Sequence, residues 1–186
     1  MICILPDTIT LAGTQHPIRT DFRVVLRIFA AWGDPALSDE EKCAVCLLNI
    51  YRHPERLTAD IGQEAVREAY RFCAHGEEPG EDNRPRILDW VHDERILIPA
   101  VSRVAGVADV RALPYLHWWT FLGLFGEIRE GLFSTVLHIR QKRAEGKRLD
   151  KWEESFLRKN RSLVVLRTPE EQSAIAETEA FLRTIL

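Results

Sequence analysis

No run of apolar residues in this chain approaches the ~20 that a membrane-spanning helix requires, which removes integral membrane proteins built on helices. The opening stretch MICILPDTIT has no basic n-region and meets Pro6 and Asp7 before an apolar core of signal-peptide length forms, so a cytoplasmic protein is expected. Cysteine is scarce, with 4 residues in 186, and without an export signal these read as reduced thiols rather than a disulfide framework. HExxH, GxSxG, a Gly-rich phosphate loop and a nucleotide fingerprint are all missing, which withdraws the commonest zinc-peptidase, hydrolase and nucleotide-binding readings. Excess charge is also lacking. A formal net charge of -3 gives no global attraction to nucleic acid or to an anionic membrane.

What is present is globular. Hydrophobic residues make up 46% and charged residues 28%, in the range of chains that bury a core. Two short β-prone runs, Thr8–Leu11 and residues 16–18, flank Ala12-Gly13-Thr14-Gln15 and predict a hairpin. Helical patterning then takes over. Thr20 or Asp21 can cap a helix whose stripe is Phe22, Val25, Leu26 and Phe29, ending at Gly33. Ser38 and Glu41 have capping-box spacing and open a helix reaching Tyr51. Further helices are predicted over residues 58–75, 87–91, 96–104 with an interruption at Pro99, 114–128 with Pro114 in the first turn, 133–144, 149–166, and 168–185 behind a second capping box, Thr168-Pro-Glu-Glu171. The expected architecture is mainly α, a single helical domain of about seven or eight helices over residues 1–166 with an N-terminal hairpin, and a helical appendage at 167–186.

Three chemical signals stand out. Cys43-Ala-Val-Cys46, with Cys73 and His75, has the residue types of a metal or redox site. Against this, the pair falls within a helix whose inward face is Cys43, Cys46 or Leu47, and Ile50, where thiols act as small apolar side chains. Asp89 and His92 are spaced to meet on a helix and support acid/base work, although such pairs are ordinarily solvated. Residues 140–161 hold nine Lys/Arg against four Asp/Glu, a run that suits a nucleic-acid-binding regulator, with Asp150, Glu153 and Glu154 interrupting it. Trp152 and Phe156 inside the run sit at i, i+4, the spacing of core-facing residues on a helix.

The densest signal is PYLHWWTFLGLFGEI at 114–128. Tyr115, Trp118, Trp119, Leu122, Phe125 and Ile128 cover one broad helical face, with Leu116, Phe121 and Leu124 spreading apolar surface around the rest. A helix apolar nearly all round is buried centrally or shares its surface with a partner. The first five residues of that face are therefore candidates for core or partner contact, and Trp119→Ala is expected to destabilise the protein. Trp152, Phe156, Phe181 and Leu182 lie outside this segment and are candidates for partner binding alone.

This segment, as LPYLHWWTFLGLFGEI, resembles a motif of the bacteriophage gene-product-fifteen-like family of long-tailed phages and prophages. The opening LPDTITLAGTQHPIRTDFRVVLRI, the helix start DPALSDEEK and the segment RILDWVHDERILIPAV are similar to the family's in the same order. The likeness spans residues 5–166 and is most specific at 115–125. The segment at 90–101 is more aliphatic here than in the family, and 168–186 has no counterpart. The resemblance implies a non-enzymatic tail assembly chaperone without cofactor or metal. It would self-associate, hold the tape measure protein soluble in the host cytoplasm and assist tail tube protein polymerisation, with no membrane or nucleic-acid partner.

Overall fold

The computed structural model describes residues 4–77, 85–166 and 171. Among these residues there is one antiparallel hairpin, β1 (Thr8–Leu11) and β2 (Thr14–Pro17), and eight helices. The helices are α1 (Phe22–Trp32), α2 (Asp39–Ile50), α3 (Gly62–Cys73), α4 (Glu94–Ala105), α5 (Trp118–Gly126), α6 (Leu132–Ala144), α7 (Lys151–Lys159) and α8 (Arg161–Val164). The mainly α class with an N-terminal hairpin is thus as expected. The predicted final helix, with Phe181 and Leu182, lies outside the described residues. The chain forms two compact units, one from Met1–Asp82 with Ala112–Gly126 and the other from Asn83–Arg111 with Glu127–Leu186.

In the first unit the hairpin is tighter than the expected four-residue loop. Ala12 and Gly13 alone turn the chain, at φ 44° and 79°, so that Leu11 pairs with Thr14 and Ile9 with His16. Two consecutive positive φ values match the right-handed twist of the strands and explain the glycine. Ile9 and Leu11 then face inward. On α1 the buried residues are Phe22, Val24, Val25 and Ile28, with Leu26 and Phe29 only half-buried, so the stripe is rotated toward Ile28 relative to the predicted one. The capping box of α2 forms as expected, Ser38 Oγ accepting from the Glu41 amide at 3.2 Å and Glu41 accepting from the Ser38 amide at 2.8 Å. At the other end of α2, the Arg19 guanidinium donates to the carbonyls of Leu48 at 3.1 Å, Asn49 at 3.2 Å and Tyr51. These are the acceptors a helix terminus leaves without intrahelical partners, and a cation there also meets the favourable end of the helix dipole. Ala59–Ile61 is a short 3-10 turn rather than the first turn of α3.

In the second unit, α4 runs unbroken through Pro99, contrary to the expected interruption. Proline removes one backbone donor. Burial of Ile96, Leu97, Ile98, Ala100 and Val101 on α4 outweighs that single bond. No helix forms over 87–91. The Asp89 carboxylate instead accepts from the amides of Val91 at 3.0 Å and His92 at 2.9 Å, a local turn that competes with helix. Gly106 ends α4 at φ 69°, as its position predicts. Gly131, just before α6, has φ 105°, and a Cβ there would stand 2.8 Å from the Arg103 guanidinium. The predicted helix over 149–166 is broken at Asn160, whose side chain donates to the Phe156 carbonyl at 3.0 Å and terminates α7.

Candidate functional site

The aromatic helix starts at Trp118, not at Pro114. Residues 115–117 are non-helical and are held by the chain entering α1. The Phe22 amide donates to the Leu116 carbonyl at 3.0 Å, the Trp118 amide donates to the Thr20 carbonyl at 2.7 Å, and Asp21 bridges to His117 as an antiparallel pair. Side chains complete the clamp. One Asp21 oxygen caps α1 through the Arg23 amide at 3.0 Å, and the other accepts from the Leu116 amide at 3.2 Å. Arg23 donates to the Leu113 carbonyl, Thr20 and Tyr115 share a hydroxyl hydrogen bond of 2.6 Å, and Phe22 stacks on Phe121 with centroids 4.8 Å apart. The Thr-Asp-Phe-Arg step and the aromatic segment, distant in sequence, are therefore two halves of one joint.

The tandem tryptophans finish α3. Trp118 Nε1 donates to the Cys73 carbonyl and Trp119 Nε1 to the Phe72 carbonyl, each at 2.9 Å. Both carbonyls belong to the last turn of α3, where intrahelical donors run out, and that of Phe72 also accepts from the His75 amide at 3.2 Å. Trp118 is wholly buried and edge-on to Phe29 at 5.6 Å, and Phe121 lies under it at 5.5 Å. Trp119 is half-buried between Phe72 and His75. His117 Nδ1 accepts from the Trp119 amide at 3.0 Å while Nε2 faces the Pro6 carbonyl at 3.0 Å, which places the ring proton on Nε2.

Among the five core-or-partner candidates, then, Trp118 is core. Trp119, Leu122 and Phe125 are half-buried, and Tyr115 is 54% exposed with its hydroxyl tied back to Thr20. Of the two alternatives for a helix apolar nearly all round, central burial holds for Trp118 and Phe121, the fully buried residues of α5. Because Trp118 is wholly buried and Trp119 half-buried, a larger loss of stability is expected on truncating Trp118 than on truncating Trp119. Of the partner candidates, Trp152 is 61% exposed on α7 and packs on half-buried Phe156 at 5.5 Å. Phe181 and Leu182 are outside the described residues.

The enzyme-like signals are absorbed by structure. Cys46 and Cys73 are buried in the first unit, and Cys43 is half-buried. Burial pushes the Cys46 thiol up to about 12 and raises that of Cys73 as well, leaving both protonated and poorly nucleophilic at neutral pH. Among the described residues no group of three His, Cys, Asp or Glu is gathered closely enough to hold a metal ion. Asp89 and His92 do not form an acid/base pair. The carboxylate is spent on amides and on Arg86, and the His92 ring faces the Leu163 carbonyl at 3.4 Å.

The basic run is likewise divided by the fold. Arg140 is buried and pairs with wholly buried Asp93 at 2.6 and 2.8 Å. Its remaining donors go to the carbonyls of Val164 at 2.9 Å, Ile87 at 2.9 Å and Leu163, so all five guanidinium N–H groups are used. This joins the start of α4, the middle of α6 and the end of α8. The sequence signal was there. Arg140 lies seven residues after Phe133 and four after Val136, on the buried face of α6. Glu153 is also buried. It closes a capping box with Asp150 and takes the Lys142 ammonium at 2.6 Å, which together hold its carboxyl below the usual range.

Compared with known families, residues 4–166 match the model described as Bacteriophage Gp15 protein. The chain belongs to that family. It is a phage protein, and the match begins before the hairpin and ends just after α8, enclosing both units' helices and both halves of the α1–α5 joint. Comparisons with curated proteins and with solved structures give no match. Among the described residues no helix is long and apolar enough to cross a membrane.

Proposed function

We propose that this Gp15-family protein is a tail assembly chaperone that binds the phage tape measure protein, keeps it soluble and assists tail tube protein polymerisation around it. The observation that carries the reading is the family match over 4–166, joined to the tail-assembly role that the resemblance implies. The physical requirement is plain. A long helical chain waiting in the cytoplasm exposes apolar stripes, and a chaperone covers them with surfaces between or upon its own amphipathic helices. Many modest contacts along one filament give avidity while each contact stays reversible. The reading is non-enzymatic and needs no cofactor.

Co-expression with the tape measure protein of the same phage at two salt concentrations tests the proposal. The tape measure protein, insoluble alone, is expected to become soluble and to co-purify with self-associated chaperone through moderate salt. If it stays insoluble and the purified chain instead carries DNA or RNA that salt removes, the chain is a nucleic-acid-binding protein, because phosphate contacts weaken steeply as counterion release loses its entropic advantage.

A further inference from the structure

Acids interrupt the basic run 140–161 in the sequence, but in the fold most of them are occupied. Glu153 is buried against Lys142, Asp150 caps α7, and Glu145 pairs with Lys147 at 2.6 Å. Glu145, Asp150 and Glu154 are exposed, and Glu154 forms no ion pair among the described residues. Arg143, Arg148, Lys151, Arg158, Lys159 and Arg161 are exposed and form no ion pair among the described residues. The fold therefore leaves six cations of this run exposed and unpaired among the described residues, against one such carboxylate.

Trp152 stands within it. On α7, Phe156 follows by four residues and Lys159 by seven, so the two aromatics and this lysine share a face, with Lys151 beside it. Glu154, two residues after Trp152, points to the opposite side. One face of α7 thus combines an aromatic 61% exposed with flanking unpaired cations.

We propose that this face of α7 is the docking surface for an acidic amphipathic helix, one whose apolar stripe covers Trp152 and Phe156 and whose carboxylates meet Lys151 and Lys159. This rests on the chaperone reading and names the tape measure segment that is held. A helix suits the site because α7 offers side-chain ridges and no open strand edge. Single-stranded nucleic acid suits it less. One face of the Trp152 ring is already against Phe156, whereas nucleotide binding uses a series of open aromatic faces along a groove.

The test compares three chains co-expressed with the tape measure protein: wild type, Trp152→Ala, and Lys151→Glu with Lys159→Glu. Trp152→Ala is expected to reduce retained tape measure protein about tenfold or more, as loss of a central aromatic anchor does. The charge reversal is expected to reduce it about threefold to tenfold, with the deficit shrinking as salt screens the rim. Melting of both variants should match wild type, since each change is on the surface. If wild type and both variants retain equal amounts, α7 is not the surface and the chaperone reading stands. Failure of the wild type itself overturns that reading. Nucleic acid bound to wild type and stripped by the charge reversal overturns the proposed occupant.

Discussion

Trp118→Ala is expected to cost the protein most of its stability, lowering its thermal midpoint far more than Trp119→Ala does. The indole is wholly buried among Phe29, Phe121 and the end of α3. Truncating a buried aromatic costs about 3 to 5 kcal/mol through lost burial and the cavity left behind. The Cys73 carbonyl loses its donor in the same step, which adds a desolvation penalty of order 1 to 3 kcal/mol if water does not reach it. Typical domain stabilities are about 5 to 15 kcal/mol, so the variant should be marginal or unfolded at 37 °C. Trp119 makes the equivalent bond to Phe72 but is half-buried, and its truncation leaves a surface notch that water can fill. Equal melting of the two variants would mean that the tandem indoles are interchangeable, contrary to the packing described.

The second large effect is expected at Arg140. Among the described residues, Arg140→Met leaves the wholly buried Asp93 carboxylate with only the Asp89 amide, at 3.0 Å, and strips donors from the Ile87, Leu163 and Val164 carbonyls. Removing one partner of a buried ion pair typically costs about 3 to 5 kcal/mol, mostly because the remaining charge is uncompensated. Adding Asp93→Leu should restore part of the loss, since the double change removes that charge as well. Denaturant unfolding of the two single variants and the double variant measures the coupling. Additive losses would show that the two side chains stabilise the second unit independently.

Local signals in this sequence are strong where one residue type satisfies one backbone requirement. Ser38 with Glu41 and Gly106 at a left-handed helix end were legible for that reason. Pro99 and Pro114 misled in opposite directions. At Pro99 burial of a continuous apolar face overrides one missing hydrogen bond, and after Pro114 the pairing of residues 116–118 with residues 20–22 delays the helix to Trp118 where a first helical turn is locally acceptable. Long-range partners were the least legible. Nothing in the spacing of Thr20 to Arg23 says that it grips a segment about ninety residues away, although the resemblance singled out both stretches. Charge was misread at Arg140 because counting along the chain ignores which helix face each residue occupies. Trp152 shows the same point from the other side: helical spacing alone favoured the core, and its exposure reflects the capping geometry that turns Glu153 inward instead.

Labour is divided in this protein, with the aromatic segment at 114–126 packed inside it and the proposed partner surface on the α7 face outside. Hydrogen–deuterium exchange on the chain alone and in complex with the tape measure protein tests this directly. Added protection on binding is expected across Lys151–Lys159, with little change at Trp118–Gly126, whose amides should already exchange slowly in the free protein. Protection gained at Trp118–Gly126 and absent from α7 would contradict the account.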